Sequence, residues 1–306
     1  MRGLDRARMA RVLVAATVST CAVGLILASA AGAVLLTPVW SNPVRLTPGS
    51  RYLALGDSVT FGFQEASVVP APNSHNAANF PGYPEQLGAE MRLNVANAAC
   101  PGETSASFIN VKAQSNGCEN TLGEPNVGYR RSFPLHVKYK GSQLAFALSY
   151  LKANKNTRLV SLMIGANDLF LCQETTKDGC LAKSEFGAAL KKVAGNVHTI
   201  LAAIRNTAKY RGQLVIVNYY ALNYASALVR SESQSLDAAV DGAAKPFNVR
   251  LADGYGEFQA ASVHSGANPC TAGLLTQLGA PGTCGVHPSF AGQALLAQAL
   301  LKSVLL

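Results

Sequence analysis

From Arg51 onward, short apolar runs alternate with longer segments whose apolar positions recur at three- and four-residue steps. The short runs predict strands over 51–55, 94–98, 159–164, 213–218 and 249–251. The third (LVSLMI) and fourth (QLVIV) are nearly uninterrupted, as strands covered on both faces are. The longer segments predict helices over 83–92, 142–152, 186–209, 224–245 and 290–305. In the third of these, Phe186, Leu190, Val193, Val197, Ile200, Leu201 and Ile204 fall on one helical face. Strand–helix alternation of this kind builds one α/β domain, a doubly wound, mainly parallel five-stranded sheet between two helical layers. Two stretches, 110–141 and 172–183, fit neither period and read as long loops, each containing cysteine.

The first 36 residues follow a different rule. Arg2, Arg6, Arg8 and Arg11 precede a 25-residue stretch, Val12 to Leu36, that carries no charge and ends rich in Ala, Gly and Ser. A basic head followed by an apolar core is the pattern of a signal peptide. The stretch is also long enough to span a bilayer as an anchor. In both cases the remainder is translocated, so the chain is expected to be secreted or held at the outer face of the cytoplasmic membrane. Residues 37–50, with Pro38, Pro43 and Pro48, read as an extended linker, and 51–306 as the folded domain.

Composition sharpens this picture in two places. Once residues 1–11, with four Arg and one Asp, are set aside, 22 basic and 16 acidic residues remain. That modest positive balance favours loose association with anionic polymers or headgroups. The chain has no recognition-helix, zinc-finger or RNA-binding signature, and no nucleic-acid partner is expected. The basic stretch from Arg130 to Lys140 reads as a solvated loop. Beyond Cys21, which lies in the apolar leader, there are six cysteines, an even set that in an exported chain implies disulfides. Among fifteen pairings the sequence-local one, Cys100–Cys118, Cys172–Cys180 and Cys270–Cys284, closes three short loops and is the one expected. A metal site is the weaker alternative, since no CxxC or HxxxH spacing occurs.

Candidate chemistry gathers at the carboxyl ends of the predicted strands, where open α/β sheets place their ligands. The first strand runs into Gly56-Asp57-Ser58, with Ser58 at a helix start where backbone N–H groups are unpaired. Gly102 follows the second strand in Ala99-Cys100-Pro101-Gly102, and Asn167 follows the third in Gly165-Ala166-Asn167-Asp168. Near the C-terminus His287 stands before Pro288 at the start of the last helix. Singly, each of these is an ordinary turn, cap or structural histidine. His75, in the loop 67–79, could border the same cleft, whereas His198 belongs to the long helix.

Taken together and in this order, the four blocks resemble those of the SGNH (GDSL-type) hydrolases, in particular extracellular members with a Ser–His dyad and three disulfides. The pentapeptide Gly56-Asp57-Ser58-Val59-Thr60 is distinct from the G-x-S-x-G elbow of ordinary α/β-hydrolases. The resemblance implies a flavodoxin-like α/β/α fold and a carboxylic ester hydrolase without metal or organic cofactor. It implies Ser58 as nucleophile, His287 as general base, and an oxyanion hole of the Ser58 N–H, the Gly102 N–H and the Asn167 amide. The substrates implied are small acyl esters, with acetylated polysaccharide or lipid and phospholipid as alternatives. A non-catalytic binding module on the same fold is the alternative of another class. One position departs from the family pattern: Cys284 stands three residues before the histidine, where an aspartate usually orients it. The Cys284 backbone carbonyl, fixed by a Cys270–Cys284 bridge, is the expected substitute, with Asp253 or Glu257 as further candidates.

Overall fold

The computed structural model describes residues 44–280 and 282–306. The leader 1–36 and most of the proposed linker lie outside the described residues. Residues 44–50, however, are docked: Leu46 is buried, its N–H donates to Leu305 O, and Gln213 Nε2 donates to Val44 O. The described end of the proline-containing segment is thus part of the domain.

The elements in chain order are β1 (Arg51–Gly56), α1 (Ser58–Phe61), α2 (Tyr83–Met91), β2 (Asn94–Asn97), α3 (Ser105–Ile109), α4 (Tyr129–Ser132) and α5 (Gln143–Ala153). They continue with β3 (Thr157–Met163), α6 (Ala166–Thr175), α7 (Lys183–Ala202), β4 (Gln213–Val217) and α8 (Ala227–Ala244). β5 (Arg250–Ala252), α9 (Gly254–Ser262), β6 (Leu275–Gln277), β7 (Cys284–Pro288) and α10 (Phe290–Ser303) complete the chain. β1 to β5 form one fully parallel sheet in the order β2-β1-β3-β4-β5. Its central strands are buried throughout, from Tyr52 to Leu55, Leu159 to Met163 and Leu214 to Val217, which is why their sequences lack alternation. Helices α2, α9 and α10 pack together as one layer, and α3, α5, α6, α7 and α8 as the other.

The predicted helix over 186–209 begins earlier, at Lys183, and its last turn widens into a π-turn over Ala203–Thr207. Two expected loops are partly ordered. Part of the first is α4, and the second overlaps α6. The basic stretch is also anchored rather than solvated. Arg130 pairs with Glu119, donates to Tyr139 O and lies 4.4 Å over the Tyr139 ring, while His136 Nε2 meets the carbonyls of Phe61 and Phe80. Cysteines join as Cys100–Cys118, Cys172–Cys180 and Cys270–Cys284. In a sheet of this order the topological switch falls between β1 and β3, and ligands bind beyond the carboxyl ends of the strands flanking it.

Candidate active site

β1 ends in a turn that only glycine permits. Gly56 has φ +149°, and a Cβ there would lie 2.3 Å from Met163 O. Its N–H and C=O are both engaged by the buried Gln143 amide, at 2.7 and 2.9 Å, which fixes the turn from the α5 side. Asp57 then caps α1 by accepting the Val59 N–H at 3.0 Å, so that Ser58 becomes the first helical residue. Among the described residues, the N–H groups of Ser58 and Gly102 donate to no protein acceptor.

Gly102 is held the same way. Its φ is +80° and a Cβ would meet Asn116 O at 2.2 Å, while Asn116 N–H donates to Gly102 O at 2.7 Å. The Cys100–Cys118 bridge closes the loop around this contact. Asn167 sits in the first turn of α6. Its Oδ1 accepts from Asn116 Nδ2 at 3.1 Å, which orients the amide. Its Nδ2 donates to Glu103 O at 3.1 Å and, more loosely, to Asp57 Oδ2 at 3.4 Å. The neighbouring Asp168 accepts both the N–H and the hydroxyl of Ser105 at 2.7 Å, locking α6 to α3.

His287 lies on β7, in the antiparallel β6–β7 hairpin that Cys270–Cys284 tethers. Here the structure corrects the expectation from sequence. The ring Nδ1 meets Glu65 Oε1 at 2.6 Å, so the orienting acceptor is a side chain and not the Cys284 carbonyl. Asp253 and Glu257 are engaged elsewhere: Asp253 caps α9 through Gly256 N–H, and Glu257 pairs with Lys302 at 2.6 Å. Glu65 comes from the loop just after α1, and an isolated bridge between Val68 and Leu278 docks that loop on the hairpin. The carboxylate also accepts the Val286 N–H at 3.1 Å and the Thr276 hydroxyl at 2.5 Å. Its close approach depends on the bare Cα of Gly285, where a Cβ would fall 2.0 Å from Oε1. Burial works to raise the pKa of Glu65, but the hydrogen bond and charge of His287, with the Thr276 hydroxyl, pull it down to about 2. An ionised Glu65 requires a proton on Nδ1, which leaves Nε2 as the lone-pair nitrogen. Phe63 packs edge-on against the ring, with centroids 5.0 Å apart.

Ser58, Gly102, Asn167 and His287 all line one cleft of ≈ 590 Å³, and Cys284 does not. His75 is exposed, with its ring against Phe133, and is not part of the lining. Two buried carboxyls adjoin the oxyanion donors, Asp57 in the cleft lining itself and Glu103 next to Gly102 in the chain. Burial pushes Asp57 up to about 6, against the Tyr219 hydroxyl, the Val59 N–H and the charge of His287. Burial pushes Glu103 up to about 8, helped by the charge of Glu119 and opposed by hydrogen bonds from Ser107 and Gln143 and by Arg130. Sequence reading missed Glu65, Glu103 and Tyr219. None of the three carried a signal in the sequence, since each takes its place through packing against residues far along the chain.

The sequence matches the model of the GDSL-like lipase/acylhydrolase family over residues 54–295. A comparison with curated proteins gives no significant match. Among solved structures, a catalytic mutant of Axe2, an acetylxylan esterase from Geobacillus stearothermophilus, is similar at TM-score 0.50 and 17% identity, covering 85% of this chain and 95% of that one. A protein described as a GDSL-like lipase from Parabacteroides merdae is similar at TM-score 0.50 and 16% identity, covering 85% and 98%. At such identities the likeness is one of fold. The family match spans most of the domain and includes the residues around the cleft, and the chain belongs to the GDSL-like lipase/acylhydrolase family of carboxylic ester hydrolases.

Proposed function

We propose that this chain is an exported serine esterase working through a Ser58–His287–Glu65 triad. The observation that carries this reading is the 2.6 Å contact of Glu65 with His287 Nδ1, on a cleft that Ser58 shares with His287. Glu65 holds the imidazole in the tautomer that presents Nε2 as base and stabilises the imidazolium that follows. Ser58 Oγ attacks the ester carbonyl as its proton passes to Nε2. The negative oxygen of the tetrahedral intermediate is met by the Ser58 N–H, the Gly102 N–H and the Asn167 amide, whose loose 3.4 Å contact with Asp57 is the one to exchange. Collapse expels the alcohol, which takes the proton from His287. Water then adds to the acyl-enzyme by the same route, releasing the carboxylic acid and restoring Ser58. Export is supported by the leader-like residues 1–36 and by three disulfides, which persist in oxidising compartments.

Hydrolysis of p-nitrophenyl esters by the disulfide-intact protein tests this. Turnover by the wild type that Ser58→Ala and His287→Ala each abolish supports the triad. Turnover that survives both substitutions rejects it, and an inert wild type points to a binding module on the same fold.

A further inference from the structure

The cleft has two ends built from different elements. One holds His287 with Phe63 and Val286, from the hairpin and the loop after α1. The other lies against α6 and α8. It is walled by Leu169 and Phe170 of α6, Leu222 after β4, and Val229 and Leu236 of α8. Val229 and Leu236 are seven residues apart, two turns along one face of α8, so that helix gives the cleft two apolar positions with Glu232 and Ser233 between them. Leu169 and Leu236 are buried and form the floor, while Phe170, Leu222 and Val229 are half-buried walls. The polar lining residues of these helices beyond Asn167 are Gln173, Glu232 and Ser233. The Cys172–Cys180 bridge pins the end of α6, so this wall is braced.

An acetyl group has only three heavy atoms. A cleft of ≈ 590 Å³ falls within the range of about 300–1,000 Å³ that takes much larger ligands, and an acetyl ester would leave the apolar end to water. The direction of the reaction assigns the two ends. The departing alcohol must receive its proton from His287, so it lies on the hairpin side. The acyl portion is then left to the α6–α8 side.

We propose that the apolar arm between α6 and α8 is an acyl-chain site that selects esters of medium-length aliphatic acids over acetyl esters. The assignment rests on the Ser58–His287 chemistry proposed above. Each methylene moved from water into such an arm is worth about 0.8 kcal/mol, or roughly fourfold in kcat/KM when the gain is kept in the transition state.

The experiment is a series of p-nitrophenyl esters from acetate to dodecanoate on the disulfide-intact protein, beside alkyl acetates of rising alcohol length. The inference expects kcat/KM to climb at least 100-fold between acetate and octanoate, with no matching climb in the alkyl acetates. Val229→Trp, which fills the arm, should lower the octanoate-to-acetate ratio at least tenfold, and Phe170→Ala should move the optimum to longer chains. If Val229→Trp does not fold, the wild-type series and Phe170→Ala still decide. Acetate as the best acyl group, with good turnover, would overturn the acyl site and leave the esterase standing. A climb that follows the alcohol, or that both variants leave untouched, would overturn it equally. Absence of any turnover would reject the chemistry, and the acyl site with it.

Discussion

The two walls of the cleft hold their carboxyls in opposite electrostatic states. On the hairpin wall, Glu65 faces an imidazole, a hydroxyl and a backbone N–H, and its pKa is drawn down to about 2. On the oxyanion wall, Glu103 is buried among Ser107, Gln143 and the disulfide loop, and burial lifts it to about 8. The contrast matches what each wall would do during ester hydrolysis. A base that must accept a proton is helped by a fixed negative charge behind it. Donors that must meet a developing oxyanion are helped by less negative charge behind them: a protonated Glu103 adds none at neutral pH, which leaves Asp57, lifted only to about 6, as the carboxyl beside Asn167. Glu103 Oε2 still accepts from Gln143 at 3.1 Å, so the same carboxyl ties the oxyanion loop to the amide that clamps Gly56.

The largest effects should come from breaking the hairpin wall. His287→Ala is expected to lower kcat by about 10³–10⁴, and Glu65→Ala by about 10³, the second with a lowered unfolding midpoint as well, because the carboxylate also accepts from Thr276 and the Val286 N–H. A Glu65→Ala enzyme with near-normal kcat would mean that another acceptor orients the ring. On the opposite wall, Asn167→Ala removes one oxyanion donor and should cost about 10²–10³ in kcat with little change in KM. Equal losses in kcat and in binding would instead make Asn167 a substrate contact.

The pH dependence sharpens the contrast at lower amplitude. Glu103, Asp57 and Asp237, the last also lifted to about 8 by burial, keep their protons in the folded protein above the pH at which an unfolded carboxyl, near 4, gives them up. The folded form therefore binds more protons over that interval, and stability should fall as pH rises from about 4 to 8. Glu65 acts in the other direction: its contribution is present above the ordinary carboxyl value and is lost as pH falls toward 2. Unfolding midpoints measured across this range should decline toward alkaline pH, and Glu103→Gln, which mimics the protonated form, should flatten that decline. An unchanged slope in Glu103→Gln would show that its proton is not held as described. Smallest of all in its effect on turnover, opening the 14-residue Cys270–Cys284 loop with paired serines should cost about 3 kcal/mol of stability. Turnover should fall only modestly, because Glu65 and the β6–β7 pairing still place His287. A collapse of kcat at full stability would return the orienting role to the bridge.

Much of this architecture was legible because it is local. Continuous runs such as LVSLMI announce buried parallel strands, and Ser58, Gly102 and Asn167 stand at strand ends where the fold concentrates chemistry. What could not be read is what depends on distant packing. Glu65 reaches His287 across 222 residues only because the loop after α1 docks on the hairpin and Gly285 has no side chain. The hairpin strand itself, CGVHP, carries a glycine and a proline and shows no strand alternation. α6 was hidden because it opens at Gly165 with Asn167 and Asp168, residues that signal a turn, and it has no side-chain cap. The depth of Glu103 is likewise a property of the closed disulfide loop and not of its neighbours in sequence.

Peptide mapping of the wild type and of Glu65→Gln after brief exposure to a fluorophosphonate tests the triad most directly. A single adduct on the Ser58 peptide, absent from Ser58→Ala and formed far more slowly in Glu65→Gln, is the predicted result. An adduct on any other residue, or equal labelling rates with and without the Glu65 carboxylate, would contradict it.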